Sequence, residues 1–271
     1  MISLRLETPP TFALDLSGLI PERLQTLTLD QIQRLPLQHG RDTLTVGELF
    51  KVKGKPEESL EIINVTKNCH RLGAQMTSGK LSVQGVCGAE LGREMRGGSL
   101  VMNGDAGDYT GATMRGGTLE INGNAGDFVG APIGGATTGM KGGSIVITKN
   151  AGKRLGDRLR RGLIVVGGNV DIAAASQLIA GTVVVLGEYG AELGNGMRRG
   201  TLLARNQAQA IPANFVLTGV YSLPYVTLLT AHIARLCPKY KSRLRAFNKI
   251  ERWVGDRGCG GLGELLIARA A

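Results

Sequence analysis

The chain has 271 residues, enough to bury a substantial core in one large domain or two small ones. Glycine at 41 residues and aromatics at 4% point to a core of small and aliphatic side chains that turns often, which suits an elongated coil and excludes an aromatic-rich globule. The formal charge of +10, from 32 Lys and Arg against 22 Asp and Glu, calls for a polyanionic neighbour: nucleic acid, an acidic protein surface or an acidic cofactor.

The opening MISLRLETPP carries both charges and lacks an apolar run, so no signal peptide is predicted. Four cysteines without a CxxC give neither a disulfide framework nor a zinc ribbon, and a reducing cytoplasm is the expected compartment. Residues 1–55 form the predicted N-terminal cap. In it TLTLDQIQRLPL reads as a short helix or turn after Leu29, and DTLTVGELFKV as a strand able to pair with the open end of the coil that follows.

Residues 56–211 carry an internal repeat. Met76, Met95, Met114, Met140, Leu159, Leu178 and Met197 follow one another at 19, 19, 26, 19, 19 and 19 residues. Gly79, Gly98, Gly117, Gly143, Gly162, Gly181 and Gly200 keep the same spacing with the same single departure, which means one insertion in an otherwise intact repeat. Two and four residues after each register glycine lie apolar pairs such as Leu81 and Val83, Leu119 and Ile121, Val183 and Val185. That alternation is a short strand with one buried face.

Small residues such as Cys87, Ala106, Ala125 and Ala151 follow at what reads as an inward corner, and glycines such as Gly92, Gly111, Gly130 or Gly139, and Gly156 at a further turn. No single coil buries its own apolar side, so coils must stack, about 4.8 Å apart. The fold class predicted is mainly β, a parallel solenoid of about seven 19-residue turns, or eight if Ser59 to Leu72 joins as a cap. The extra seven residues, within APIGGATTG, leave as a loop at one corner, either a tolerated surface loop or a docking loop. The uncharged stretch from Ile172 to Gly187 is too short to span a membrane and follows the repeat, so it is predicted to be buried coil.

In residues 212–271, LPYVTLLTAHIARLC has helical apolar spacing, and KYKSRLRAFNKIERW after Pro238 is predicted to hold a second short helix. Its Lys239, Lys241, Arg243, Arg245, Lys249 and Arg252 meet only Glu251, giving a solvated face or a site for an acidic partner. GDRGCGGLGELLIARA closes the chain as a glycine-rich turn and a strand.

Catalytic chemistry is sparse. His39, His70 and His232 show no metal-ligand spacing, there is no GxxxxGK[ST], and Asp105, Asp108, Asp127 and Asp157 fall on turns whose period is too long for calcium-binding nonapeptides. Cys69 and Cys87 lie in neighbouring coils and read as buried thiols. No catalytic, cofactor-binding or metal-ligating residue is therefore assigned. One constellation stands out: the residue after each register Met or Leu is Thr77, Arg96, Arg115, Lys141, Arg160, Ile179 and Arg198. Stacked cations repel, so these side chains either splay into water or meet an anionic surface; Arg96, Arg115, Lys141, Arg160 and Arg198 are the candidate partner or polyanion interface.

The segments GGSLVMNGDAGDYTGATMRGGTLEINGNAGDFVGA, DTLTVGELFKV and GDRGCGGLGELLI together resemble the C subunit of formylmethanofuran dehydrogenase over nearly the whole chain. Its repeat is of the GXGXG type also found in the C-terminal domain of glutamate synthase, a domain that does not account for both flanks. The resemblance implies a right-handed parallel β-helix and a non-catalytic scaffold in a cytoplasmic hetero-oligomer. It allows two complexes. One is a tungsten or molybdenum formylmethanofuran dehydrogenase with iron–sulfur clusters; the other is the formyltransferase/hydrolase complex of bacterial methylotrophy, which the basic composition favours.

The resemblance further implies a hydrolase-like A subunit, a B subunit and a formyltransferase D subunit as partners, which would hold the methanofuran-like carrier and tetrahydromethanopterin. Polyglutamate tails on such carriers make the cationic ladder a candidate contact for an acidic partner surface or that tail. A free-standing enzyme and a basic nucleic-acid-binding solenoid are the competing classes. The second lacks aromatic residues recurring with the repeat, so neither nucleic acid nor membrane is an expected partner.

Overall fold

The computed structural model describes residues 1–205 and 210–269. Residues 206–209, inside the predicted coil span, and 270–271, at the end of the predicted C-terminal region, lie outside the described residues.

The chain opens with strand β1 (Ile2–Leu6), whose side chains alternate buried and exposed, then β2 (Leu14–Asp15) and the single-turn helices α1 (Pro21–Leu24) and α2 (Leu29–Gln33). The turn predicted after Leu29 is helical because a capping box starts it: the Gln31 N–H donates to Thr28 Oγ1 and the Thr28 N–H to Gln31 Oε1. The hairpin β3 (Pro36–His39) and β4 (Asp42–Thr45) leads into α3 (Val46–Leu49) and β5 (Phe50–Gly54). DTLTVGELFKV, predicted as one strand, is thus broken in two. The Glu48 carboxylate accepts from both the N–H and the hydroxyl of Thr45 and bends the backbone into a turn there.

Next come β6 (Ser59–Val65) and the short β7 (Cys69–His70). β6 accepts β1 in parallel on its outer edge, with Leu4 opposite Ile62, and β5 then pairs antiparallel with β1. The end of the coil is therefore covered by β1 first and β5 second. A small sheet ordered β4-β3-β2-β7 fastens the same region from the side.

The repeat supplies β8 (Lys80–Gly85), β9 (Ser99–Asn103), β10 (Thr118–Ile121), β11 (Lys141–Ile147), β12 (Arg161–Val166), β13 (Thr182–Val185) and β14 (Thr201–Ala204). All stack in parallel, so that Leu60, Leu81, Leu100, Leu119, Ile145, Ile164, Val183 and Leu202 form one buried file. Burying each such side chain contributes roughly 2 kcal/mol. Bridges through Ala106, Ala125, Ala151, Val170 and Tyr189 form a second parallel ladder at the predicted inward corner. The insertion leaves after Gly130, which has φ +70, and its residues rejoin the stack where the Met140 N–H donates to the Gly130 carbonyl. Val183 to Leu186, in the uncharged stretch, are buried coil as predicted.

Non-glycine residues also turn the corners in the left-handed region. Arg71, Glu90, Tyr109, Phe128, Arg154, Ala173 and Glu192, one per coil, all have φ between 54° and 66°. Strain of this kind persists where neighbours over-determine the backbone. Here the Tyr109 and Phe128 rings stack at 5.0 Å, and each turn is tied by backbone bonds to the coil beside it.

The C-terminal region contributes β15 (Val216–Tyr221), α4 (Pro224–Leu236), the short α5 (Lys241–Leu244), β16 (Ile250–Gly255) and β17 (Gly263–Ala268). The helix predicted within KYKSRLRAFNKIERW ends early. Its last residues form β16, because Ile250 and Trp253 find cross-strand partners in Ala268 and Leu265. β17 stacks in parallel on β14 with Leu265 opposite Leu202, so the final strand completes the core file. The resulting 13-stranded sheet runs β15-β16-β17-β14-β13-β12-β11-β10-β9-β8-β6-β1-β5. Val226, Ile233, Tyr240, Leu244 and Phe247 form a second core on the outer face of this sheet, against Val146, Val165, Val184, Leu203 and Leu266. No described helix is long and apolar enough to cross a membrane.

Candidate partner interface

The stack converts sequence period into a surface. Each register Met or Leu is fully buried, and from Met76 to Leu178 its carbonyl accepts the N–H of the residue that follows the register in the next coil. Arg96 donates to Met76 at 2.8 Å, Arg115 to Met95 at 2.7 Å, Lys141 to Met114 at 2.7 Å, Arg160 to Met140 at 2.9 Å and Arg198 to Leu178 at 2.8 Å. All five predicted cations therefore stand on one corner in register, exposed. None forms an ion pair among the described residues.

At the head of this file an acid occupies the equivalent place. The Thr77 N–H and hydroxyl both donate to the carboxylate of Glu22 on α1. One carboxylate is thus already seated on the corner, where α1 stands in the place of a preceding coil.

The ladder has a break that the register alone does not describe. Between Arg160 and Arg198 stands Ile179, and the surface there sinks into an open groove of about 660 Å³. Its floor is Ile179, Ala180 and Gly181, and its walls are the doublets Arg160–Arg161 and Arg198–Arg199. Among the described residues, no acidic or aromatic side chain lines it. Sequence reasoning missed Arg161 and Arg199, although the signal was present: the equivalent residue is Gly97, Gly116 and Gly142 in the earlier coils. A Cβ at Gly97 would collide with the Thr77 carbonyl, whereas the register shift between Lys141 and Ser144 opens the corner where Arg161 pairs with Lys141.

Of the chemically capable side chains, all elsewhere, His232 and Cys259 are exposed and those that follow are engaged. His39 Nε2 accepts the Phe12 N–H at 3.1 Å and His70 Nδ1 the Ala89 N–H at 3.0 Å. Cys69 and Cys87 are buried, and burial pushes the Cys87 thiol up to about 12, far from a reactive thiolate. Asp105, Asp108 and Asp127 each accept a backbone N–H of the next coil, from Asn124, Asp127 and Lys153. Asp157 is buried and paired with Arg154 at 3.0 Å. Of the basic C-terminal run, Arg243 is turned inward: its guanidinium donates to the Gly167 carbonyl at 2.6 Å and the Leu186 carbonyl at 2.5 Å. Arg252 pairs with Glu264. These two are structural, so the solvated face expected of that run is smaller than its charge count.

Known proteins fit this arrangement. The family model of the GXGXG motif matches residues 61–223. The C subunit of tungsten-containing formylmethanofuran dehydrogenase 2 from Methanococcus maripaludis is 34% identical over 87 residues, 31% of this chain and 32% of that relative. Its counterpart from Methanothermobacter wolfeii is 31% identical over 81 residues, 28% of this chain and 30% of its own. The matched stretch thus spans about a third of these curated relatives. A chain in the crystal structure of the formyltransferase/hydrolase complex FhcABCD from Methylorubrum extorquens, in complex with methylofuran, superposes with a TM-score of 0.91 at 36% identity, covering 99% of this chain and 100% of that one. With the repeat, both flanks and the end-to-end superposition in agreement, the chain belongs to the family of formylmethanofuran dehydrogenase C subunits, built on the GXGXG repeat.

Proposed function

We propose that this chain is the non-catalytic C subunit of a formyltransferase/hydrolase complex in one-carbon metabolism. The complex would move a formyl group from formyl-tetrahydromethanopterin to a methanofuran-like carrier and release it as formate. The observation that carries the reading is the end-to-end match to a chain of such a complex. The chemistry supports it: His70, Asp105, Asp108 and Asp127 bond one coil to the next and Cys69 and Cys87 are buried, which suits a scaffold. In this reading the chain is a right-handed β-helix over 56–211 with a cap over 1–55 and an extension over 212–271. It works in the cytoplasm, its A, B and D partners hold the carriers, and it contributes no cofactor of its own.

The cationic ladder is the surface we assign to those partners or to the acidic tail of a carrier. Five in-register cations without counter-ions lose mutual repulsion when an anionic surface meets them. Charge reversal at Arg115 and Lys141 is expected to weaken assembly or carrier affinity at moderate salt. Assembly and carrier affinity both left intact would remove the ladder from the interface.

The named curated relatives belong to tungsten dehydrogenases, which keeps that complex as the second reading. Affinity purification of the tagged chain from its own cells, followed by mass spectrometry and metal analysis, separates the two. Hydrolase-like and transferase-like partners without tungsten or molybdenum are the expected result. Partners bearing either metal would favour the dehydrogenase, and recovery of the chain alone would overturn both.

A further inference from the structure

We propose that the groove at the break in the ladder docks an extended acidic segment of a partner chain, lying along the stack with carboxylates three residues apart. The inference rests on the scaffold reading and adds the occupant, its direction and its register. Charge selects the occupant. Two arginine doublets face each other across an apolar floor, with no acid in the lining to neutralise them. Arginine forks match carboxylates in a bidentate way, so each doublet is a carboxylate clamp.

Spacing selects the register. Arg160–Arg161 and Arg198–Arg199 lie two coils apart, which at the inter-strand distance is roughly 9.6 Å along the stack. A polyproline II segment rises about 3.1 Å per residue with three residues per turn, so its residues i and i+3 share a face and stand about 9.3 Å apart. The two side chains between them point elsewhere, leaving Ile179, Ala180 and Gly181 to receive backbone or a small apolar group. A single nucleic-acid strand fits less well, because the lining offers no aromatic platform for a base. Glu22 seated on Thr77 shows that this corner accepts a carboxylate within the chain itself.

The test uses the full chain and two fluorescein-labelled hexapeptides of identical composition, Gly-Glu-Pro-Pro-Glu-Gly and Gly-Pro-Glu-Glu-Pro-Gly, read by fluorescence anisotropy at low salt. The first is expected to bind about tenfold tighter than the second, and Arg161→Ala with Arg199→Ala to abolish that preference, while Lys51→Ala with Lys53→Ala, on the exposed β5 edge away from the groove, leaves it within about twofold. Arg161→Lys with Arg199→Lys, which keeps charge but not the fork, is expected to restore weak binding without the preference. Equal affinity for the two peptides, a preference that survives loss of Arg161 and Arg199, or a thymidine hexanucleotide that competes as strongly as the first peptide would overturn the proposal. Because no partner chain enters the assay, its failure leaves the co-purification result standing, and failure of co-purification leaves this one standing.

Discussion

Asp15 and Glu90 converge on one guanidinium: Arg71 binds Asp15 at 2.8 Å and Glu90 at 2.9 Å, and Arg93 adds a second cation to Glu90 at 2.8 Å. Burial works to raise both carboxyls. At Asp15 the hydrogen bonds from Ser17 and then Arg71 outweigh it, and at Glu90 those from Arg93 and Arg71, so both end below their ordinary values. A carboxyl depressed in the folded chain contributes stability that is complete above its unfolded pKa and lost as pH falls through the folded one. The contact between the N-terminal region and the first coil is therefore expected to loosen below about pH 4, read as faster amide exchange around Leu14 and Cys69 while the central coils stay protected. Arg71→Met, which removes the shared cation, is expected to abolish that acid step and to lower stability by about 1 kcal/mol in a urea titration. Gly104 makes a second residue-scale test. It sits at φ +147, and a Cβ there would run into the Gly85 carbonyl of the preceding coil. Gly104→Ala is expected to cost on the order of 2–3 kcal/mol, against about 1 kcal/mol for the same change at the open Gly134, where only the left-handed φ of +54 opposes it. Gly104 was legible because it recurs with the period. Arg71 was not, because its partners Asp15 and Glu90 come from the N-terminal region and the next coil and nothing in its own neighbourhood marks it.

The strands and helices divide in the same way. The inward positions two and four residues after the register glycines fixed β8 through β13, since a buried file tolerates only apolar residues. The outward position between them went unread, yet it changes along the chain. It is Ser82, Val101 and Glu120 in the first coils and Val146, Val165, Val184 and Leu203 in the later ones. That switch marks where the outer face is covered, and α4 with the turns after it lies there, Phe247 buried to 3% exposure. Phe247→Ala is expected to cost roughly 3–5 kcal/mol and to make the segment from Pro224 to Asn248 the first site of proteolysis, with the inner core file intact. β15 and β16 escaped the sequence reading for opposite reasons. β15 is interrupted by Gly219, and β16 lies in a basic run whose spacing also fits a helix. The two edges of the large sheet differ as well: β5 carries Lys51 and Lys53, which blunt it against further pairing, whereas β15 exposes Val216, Leu217, Val220 and Tyr221.

At the scale of the molecule, the repeat makes a rod of nearest-neighbour contacts, closed at one end by β1 and β5 and at the other by β17, β16 and β15. Such a rod offers long, regular faces and few places to gather catalytic groups, and this chain follows that pattern: one face is cationic, one is covered by helices, and His70, Asp105, Asp108 and Asp127 bond one coil to the next. The parallel stacking was legible because it obeys the period, and the single insertion because it breaks two registers at the same place. The groove was not, because it depends on where the repeat departs from itself, at Ile179, Arg161 and Arg199. The central claim is that this chain holds other subunits together and performs no chemistry itself. Native mass spectrometry of the complex purified from cells with and without the chain tests this most directly, with formyl transfer measured on each preparation. The account expects the hydrolase-like and transferase-like subunits to separate when the chain is missing, with coupled transfer lost while each partner keeps its own partial reaction. Partners that remain in one particle and transfer at an unchanged rate would contradict it.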